Sequence, residues 1–361
     1  MISVFEEVSK AASVRLKDNA IRNIAIVGAG HIVEHAHLPA YTKVGIPVYG
    51  IYDIDYSKAV KVAEKFGIKN VFKSLDELLA SDHVDVVDFA VVPTEQPSLV
   101  KQALKARKHV LCQKPFVMDS SIGEEILNLA RTNELKVGVN QQLRYDEGIA
   151  VARAMVEKGW IGTVRAVYFY VNIWTDWSMW KWLVDSPRLE IWFHSIHYID
   201  AIRSILGTPK VVFCGSNRSF SQAEKGETRT LSTLLYADGA VAAVHSSHLN
   251  RTGDAYASFR IEGERGVIKG TLGLLYNYPY GRPDTLEVWS DLLPTDGWLP
   301  YPVTTRWIPD AFAGPMISLL NAIMDDGIPY PDASDNLWTV KVVEALYKSM
   351  DEGTAVQVHN G

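Results

Sequence analysis

The stretch Ile24-Ala25-Ile26-Val27-Gly28-Ala29-Gly30-His31-Ile32-Val33 decides the fold. Its first four residues are apolar, which predicts a buried parallel strand. Gly28 then ends the strand and permits a tight turn, and Gly30 lets the backbone approach a pyrophosphate at the N-terminus of the following helix. Val33 stands where a third Gly or Ala is usual, so the pattern alone is as consistent with a plain turn as with a nucleotide site.

From residue 23 onward, short apolar runs alternate with helix-length amphipathic segments, which is typical of a doubly wound parallel sheet. The predicted strands are Asn23–Val27, Val48–Asp53, Val84–Val92, His109–Cys112 and Lys136–Asn140. Asp53 ends the second strand, where a carboxylate can accept hydrogen bonds from the ribose hydroxyls of an adenosine. This context favours a dinucleotide-binding Rossmann domain over residues 21–143.

After about residue 144 the pattern changes to longer β-rich runs separated by turns. The predicted strands are Val164–Trp174, Lys210–Cys214, Thr230–Tyr236, Ala240–His248 and Tyr256–Glu262. Asp238-Gly239 is a strong hairpin signal between two of them. Helices are predicted near residues 196–206, 313–324 and 336–352. Residues 144–361 are therefore expected to form a second α/β domain with a large open, mostly antiparallel sheet and helices on one face.

Composition narrows the class of protein. A chain of 361 residues with a net charge of −6 has the size of two domains and lacks the basic surface that a nucleic-acid-binding protein needs. Its two cysteines lie in apolar runs, and no apolar stretch is long enough for a membrane span or a secretory signal. We therefore expect a cytoplasmic protein with no membrane or nucleic-acid partner. Residues 1–20 form an N-terminal tail, either an amphipathic helix or frayed, with no assigned function.

A second motif, Cys112-Gln113-Lys114-Pro115, follows a predicted parallel strand. Ligands of open α/β sheets bind at the carboxyl ends of the strands, so the Lys114 side chain is expected to point into that crevice. Pro115 restricts the backbone of Lys114 and so fixes where the side chain emerges. On position alone, a solvated loop lysine is an equally good interpretation.

These motifs, with His37-Leu38-Pro39-Ala40 and Ser195-Ile196-His197-Tyr198-Ile199-Asp200, together resemble the Gfo/Idh/MocA oxidoreductases over roughly residues 22–358. The resemblance implies an NAD cofactor and an active-site lysine at Lys114, within a segment similar to the family's Glu-Lys-Pro. It further implies that His197 matches the histidine of the family's Asp-x-x-x-His segment. Trp180-Lys181 looks like the family's Trp-Arg and so places Lys181 near the cofactor. The expected cofactor-binding residues are Gly28, Gly30, His31, Ile32, Asp53, Pro93, Thr94, Gln113, Lys114 and Lys181.

The departures from the family pattern matter as much as the matches. Phe193 stands where the family usually has Asp, which leaves the Lys-Asp-His constellation incomplete. On a regular helix Glu190, His194 and His197 would share one face, so Glu190 or His194 could supply the missing polar group. The same three side chains could bind a metal, but no further ligand is identifiable and we expect none. The expected catalytic residues are Lys114, His197 and His194.

Five of the ten tryptophans lie within residues 174–192. Aromatic faces stack on the C–H faces of sugars, and polar neighbours bind hydroxyls, although tryptophan is equally favoured in cores and interfaces. Family members commonly act on sugars, inositols and related polyols, so the resemblance favours such a substrate. The expected substrate-binding residues are Lys114, Trp174, Asp176, Trp177, His194 and His197.

The sequence thus predicts an NAD-dependent oxidoreductase that transfers hydride between nicotinamide and a secondary alcohol or hemiacetal of a sugar or polyol. It is expected to form a homo-oligomer, a dimer or a tetramer, through its open sheet. Two alternatives remain. One is a nonenzymatic sensor of dinucleotide or sugar that regulates a partner, and the other is an enzyme that uses transient oxidation for elimination or glycoside cleavage.

Overall fold

The computed structural model describes residues 2–219, 222–278, 281–294 and 297–358. The chain folds into two compact units. The first unit comprises residues 14–145 and 308–340, and the second comprises residues 1–13, 146–307 and 341–361. The helices are α1 Ile2–Ala12, α2 Leu38–Lys43, α3 Tyr56–Phe66, α4 Leu75–Ala80, α5 Gln96–Lys105, α6 Ser120–Thr132, α7 Glu147–Glu157, α8 Lys181–Val184, α9 Ile196–Leu206, α10 Ala313–Asp325 and α11 Ala333–Glu352.

The first unit is built on a parallel sheet with strand order β3-β2-β1-β4-β5-β6. Its strands are β1 Ile24–Val27, β2 Val48–Tyr52, β3 Asn70–Val71, β4 Val86–Phe89, β5 His109–Gln113 and β6 Val137–Asn140. This is the Rossmann order, which confirms the predicted doubly wound sheet. The predicted strand over residues 84–92 is shorter at both ends and spans Val86–Phe89. The short β3 has no counterpart among the predicted strands.

Local signals of the sequence form as predicted in this unit. The Ser74 hydroxyl accepts a hydrogen bond from the Glu77 amide at 3.0 Å, which caps the N-terminus of α4. Gly67 ends α3 in the left-handed conformation with a φ of 70°. These caps set the N-terminus of α4 and the C-terminus of α3.

The second unit carries a nine-stranded sheet with strand order β14-β13-β12-β11-β7-β10-β9-β8-β15. Its strands are β7 Val164–Asn172, β8 Val211–Asn217, β9 Arg229–Leu235, β10 Val241–Ser247, β11 Tyr256–Gly263, β12 Gly266–Thr271, β13 Thr285–Ser290, β14 Leu299–Tyr301 and β15 Val356–Gln357. The sheet is antiparallel except for the β7–β10 pair, as expected for a mostly antiparallel sheet. The Tyr236 amide donates to the Ala240 carbonyl at 3.0 Å, which forms the predicted hairpin at Asp238-Gly239.

The chain is divided differently from the prediction at both of its ends. Helix α10, expected in the second domain, belongs to the first unit because Met316, Leu319 and Leu320 are buried in the same core as Ile24 and Ile26. Each fully buried leucine contributes about 1.5–3 kcal/mol to that packing. Residues 14–20 also join the first unit, where the Lys17 amide donates to the Asn321 side chain at 3.0 Å.

Residues Ile2–Ala12 form helix α1, so the helical interpretation of the N-terminal residues is correct and the frayed one is wrong. Helix α1 belongs to the second unit, and its Phe5 and Val8 side chains are buried. The ring of Phe5 packs edge-on against Tyr301 with the centroids 5.3 Å apart. None of the helices in the described part of the chain combines the length and the apolar character that a membrane crossing requires.

Candidate functional site

The turn after β1 has the geometry that a dinucleotide requires. Gly28 has a φ of 108°, and a Cβ at this position would lie 2.4 Å from the Ala90 carbonyl oxygen, so only glycine fits. A Cβ at Gly30 would meet nothing within 4 Å, which leaves open space beside the backbone for a phosphate. The residues of the turn therefore fit a pyrophosphate at the start of the next helical segment.

Asp53 follows β2 and is tied to this turn. One carboxylate oxygen accepts a hydrogen bond from the Ala29 amide at 2.7 Å, and the other accepts from the Asp55 amide at 2.8 Å. A carboxylate has about four lone-pair positions, so two such bonds leave acceptor capacity for ribose hydroxyls. The sequence predicted the position of this acid, and the structure adds the bonds that hold its orientation.

The remaining cofactor-binding residues predicted in the first unit follow β1 and β4. His31 stacks on His35 with ring centroids 4.0 Å apart. Partial burial of its imidazole and the neighbouring His35 lower the pKa of His31. Ile32 is half-buried in the same segment. After β4, Pro93 is buried and Thr94 is exposed, ahead of α5. All four lie beyond the carboxyl ends of strands, as a nucleotide site in an open sheet requires.

Lys114 directly follows β5, two strands from β1 in the sheet order. Its backbone amide donates to the Gln113 side-chain oxygen at 2.9 Å. Gln96 fixes the surrounding loop because its amide group donates to the carbonyls of Gln113, Pro115 and Phe116 at 2.8–3.0 Å. Burial lowers the pKa of the Lys114 ammonium to about 7. An amine with such a pKa can exchange a proton near neutral pH.

A buried polar network behind Gln113 was not predicted from the sequence. The Gln113 side-chain nitrogen lies 3.2 Å from Nε2 of His37, and Nδ1 of His37 lies 2.8 Å from the Asp88 carboxylate. The Tyr41 hydroxyl donates to the same carboxylate oxygen at 2.7 Å. Burial and the neighbouring Asp88 raise the pKa of Tyr41. The signal available in the sequence was Asp88, an acid inside an otherwise apolar strand.

In the second unit, Glu190 is fully buried and accepts hydrogen bonds at both carboxylate oxygens. The Ser195 hydroxyl donates to Oε1 at 2.7 Å, and the Thr230 hydroxyl donates to Oε2 at 2.6 Å. His194 and His248 approach Oε1 at 3.4 and 3.5 Å. Burial opposes ionisation of Glu190, but the hydrogen bonds from the two histidines outweigh it and hold its pKa well below the usual range.

The sequence left open a regular helix on which Glu190, His194 and His197 share one face, but residues Ile191–Ser195 form a π-helical turn. In a π-helix, residues five apart stack along the axis, which brings Ser195 over Glu190. His197 begins the first turn of α9, and its ring packs edge-on against Trp307 with centroids 5.1 Å apart. The second histidine beside Glu190 is His248, which follows β10 and was missed.

The tryptophan-rich segment contains both buried and exposed members. Trp177 is only 5% exposed and packs in a small core with Leu183 and Leu189, which supports a structural role. Trp174 is 55% exposed, and the Arg251 guanidinium lies 5.2 Å from its ring centroid. Asp176 is exposed, and its carboxylate accepts from the Ser178 amide at 3.0 Å, which caps a short 3₁₀ turn.

Two predicted residues of the second unit, Trp177 and His194, contact His248. The Trp177 ring lies 4.9 Å from the His248 ring, and the Thr175 hydroxyl lies 2.8 Å from Nδ1 of His248. The His194 ring meets the His248 ring edge-on at 4.3 Å.

Phe193 stands at the position of the acid expected from the family pattern, and its ring packs against Trp182. Lys181 begins the short helix α8 and is exposed, so its approach to a cofactor stays a prediction.

Comparison with known proteins identifies two consecutive family domains. Residues 22–141 match a family described as an oxidoreductase family with an NAD-binding Rossmann fold, the Gfo/Idh/MocA family. Residues 149–269 match the C-terminal domain of the same family. Together the two domains span both the dinucleotide turn and the Glu190 cluster.

Relatives and solved structures of similar fold extend over nearly the whole chain. A D-apiose dehydrogenase of Paraburkholderia graminis is 23% identical over 92% of this chain and 89% of that relative. An oxidoreductase from Agrobacterium radiobacter, solved in complex with NAD⁺, L-tartaric acid and magnesium, has a TM-score of 0.83 at 23% identity, covering 93% of this chain and 98% of that one. A levoglucosan dehydrogenase, solved with NADH and L-sorbose, has a TM-score of 0.80 at 19% identity, covering 94% of this chain and 99% of that one.

Proposed function

The chain belongs to the Gfo/Idh/MocA oxidoreductase family, and on that premise we propose that it oxidises a secondary alcohol or hemiacetal of a sugar or polyol with NAD. The substrate class is supported by relatives named for D-apiose and levoglucosan. The observation that carries the proposal is the position of Lys114 directly after β5, in the same unit as the dinucleotide turn, where burial lowers its pKa to about 7. Oxidation of such a substrate with equimolar formation of NADH tests it.

In this proposal Lys114 accepts the proton of the reacting hydroxyl. Bound NAD would supply the hydride acceptor, so that loss of the hydroxyl proton and of the hydride from the same carbon would leave a ketone or lactone. Lys114 must be neutral to act as the base, and its lowered pKa makes a neutral fraction available near pH 7. His197 takes part in the same proton transfer, and either residue could accept the proton first.

We assign substrate contact to the exposed polar and aromatic groups of the second unit. Trp174 offers an exposed indole face for stacking on a sugar ring, and Asp176 offers an exposed carboxylate for hydroxyls. His194 is only partly buried, with its side chain 15% exposed. Trp177 acts through packing beneath this segment rather than through its own indole face.

The position of Asp53 predicts a preference for NAD over NADP. A carboxylate about 4 Å from a phosphate charge is repelled by about 4 kcal/mol at an effective dielectric of about 20, and solvent screening reduces this at a half-exposed site. We expect NADP to bind at least about tenfold more weakly than NAD in a fluorescence titration. Asp53→Asn should bring the ratio of the NAD affinity to the NADP affinity closer to one. Asp55→Asn keeps an N-cap residue on α3 and should leave that ratio unchanged. Equal binding of both cofactors by the wild type would reject the assignment.

The open sheet of the second unit is the proposed oligomer interface. Tyr170, His245 and Leu231 lie side by side in register on β7, β10 and β9, and Tyr170 and Leu231 are 45% and 52% exposed. Further exposed apolar residues of this sheet are Tyr168, Phe213, Leu235, Val241, Tyr256 and Trp289. An apolar surface of this extent on a sheet commonly mediates association.

We expect a dimer or tetramer of the wild type in sedimentation velocity at micromolar concentration. The double variant Tyr170→Glu/Leu231→Glu should sediment as a monomer, because it would bury two charges in the interface. Ile328→Glu is the matched control, since Ile328 is 80% exposed but lies in the first unit. A wild-type monomer under these conditions contradicts the proposal.

The cytoplasmic location remains a prediction. Cys112 and Cys214 are both buried free thiols, which is the usual state of cysteine in a reducing compartment.

A further inference from the structure

Three side chains of metal-ligating type meet in the second unit. Glu190 precedes the π-helical turn, His194 lies within it, and His248 follows β10. One potential ligand atom from each lies within 4.8 Å of the others. The sequence offered only two of the three, because His248 comes from a strand far along the chain.

The spacing of these atoms is that of long, weak hydrogen bonds and also fits the ligands of one shared metal ion. A charge-assisted N–H···O bond is about 2.7–2.9 Å long. The two imidazole nitrogens instead lie 3.4 and 3.5 Å from the same Glu190 oxygen. Ligands of a tetrahedral zinc ion, at bond lengths of about 2.0–2.1 Å, lie about 3.3–3.4 Å from each other. The observed separations are close to those of two edges of such a tetrahedron.

The partners behind the ligands also match those of a metal site. The Thr175 hydroxyl lies 2.8 Å from Nδ1 of His248, and the Tyr198 hydroxyl lies 3.3 Å from Nε2 of His194. In each imidazole the other nitrogen faces Glu190, and Nε2 of His248 also lies 3.3 Å from the Ser246 hydroxyl. Hydrogen bonds to the non-ligating nitrogen are what orients metal-binding histidines and fixes their tautomer.

The buried charge of the Glu190 carboxylate is a further reason to expect a bound cation. Glu190 is fully buried, and a buried carboxylate needs a compensating positive charge. Its ion-pair partners are two imidazoles, which carry a charge only when they are protonated. A divalent cation would supply that charge while both imidazoles are neutral.

We propose that Glu190, His194 and His248 bind one divalent first-row transition-metal ion, with zinc as the fitting occupant. Two nitrogen ligands and one carboxylate disfavour magnesium and calcium, which prefer oxygen. Three protein ligands leave the fourth position for water, as in sites of the His₂Glu type. The proposed metal site lies in the second unit and shares His194 with the substrate contacts proposed above. Its test measures zinc binding rather than turnover, so its outcome can be distinguished from that of the activity assay.

The test is calorimetric titration of zinc into the full chain after chelator treatment and dialysis. We expect one equivalent to bind, and we expect Glu190→Gln and His248→Gln each to weaken binding at least about 100-fold. Thr175→Val should weaken it by about tenfold or more, as removal of a partner of a ligating histidine usually does. His245→Ala is the control, because His245 lies on the same strand β10 but stacks on Tyr170, and it should bind zinc like the wild type.

Absence of stoichiometric binding by the wild type would overturn the proposal, and so would unchanged binding in both ligand variants. If those variants fail to fold, as judged by circular dichroism, the wild type still decides the question. Anomalous scattering at the zinc edge from zinc-soaked crystals should place the ion between the three ligand atoms. An ion elsewhere, or none, contradicts the proposal.

Discussion

Replacing Lys114 with alanine is expected to lower kcat for sugar or polyol oxidation by at least about 100-fold, the usual contribution of a positioned general base. The side chain emerges at the carboxyl end of β5 in a loop that Gln96 holds through three carbonyl groups. The loop held by Gln96 therefore fixes the backbone position of Lys114. The lowered pKa of Lys114 provides the neutral amine that proton abstraction requires. The affinity for NAD should change only modestly, because the turn at Gly28 and the Asp53 carboxylate remain intact.

Two further variants test whether Lys114 acts as a base or only contributes a positive charge. Lys114→Arg should not restore kcat, because a guanidinium cannot deprotonate in a protein. Lys101→Ala removes a lysine that pairs with Glu125 on a helix surface and should leave kcat unchanged. A kcat near that of the wild type in Lys114→Ala would exclude this residue as the base and direct attention to His194, Glu190 and Asp176.

The pH dependence of the wild type should agree with the same assignment. A base is active only when neutral, so kcat in the oxidative direction should be high above the pKa of Lys114, about 7, and fall as the pH decreases through it. In Lys114→Ala this limb of the profile should disappear. Persistence of the same limb in the variant would show that another group titrates there.

Replacing His197 with alanine is expected to lower kcat by roughly 100-fold while NAD binding stays almost unchanged. His197 belongs to the second unit, whereas the dinucleotide turn and Asp53 belong to the first. Because its ring packs against Trp307, alanine would also remove a packing contact. His197→Gln preserves more of the volume and should lose kcat to a similar extent if proton transfer is the role.

Trp307→Phe provides the packing control for this variant. It alters the ring that faces His197 without removing a titratable group, so it should affect the free energy of unfolding more than kcat. A fully active His197→Gln enzyme would contradict a role for His197 in proton transfer. Loss of NAD binding in that variant would indicate a structural role instead.

Local patterns predicted the parts of the fold that depend on residues close in sequence. The run Ile24–Val27 with Gly28 predicted both the first strand and the turn, because only glycine tolerates the positive φ and the close Ala90 carbonyl. Asp53 could be placed at a strand end by counting residues from that turn. Ser74 and Glu77, and likewise Asp238-Gly239, specify their cap and hairpin through neighbouring backbone groups alone.

Features that depend on distant residues were not predictable in the same way. The sequence of α10 predicts an amphipathic helix but does not indicate which unit it joins. Burial in the same core as Ile24 and Ile26 assigns it to the first unit. The π-helical turn at residues 191–195 has no local signature and changes which side chains face Glu190. His248 is brought to Glu190 by the sheet, so no spacing between residues 190 and 197 could reveal it.

Dehydrogenation of a sugar or polyol with NAD can be tested in one assay that follows the cofactor and the substrate together. The full chain is incubated with NAD and a panel of aldoses, anhydro sugars, inositols and sugar acids, and both NADH and consumed substrate are quantified. We expect at least one compound to give NADH and oxidised product in equal amounts, and Lys114→Ala to slow this reaction at least about 100-fold. Consumption of substrate with no net NADH would contradict it in favour of transient oxidation. Tight NAD binding without turnover of any compound would contradict it in favour of a sensor.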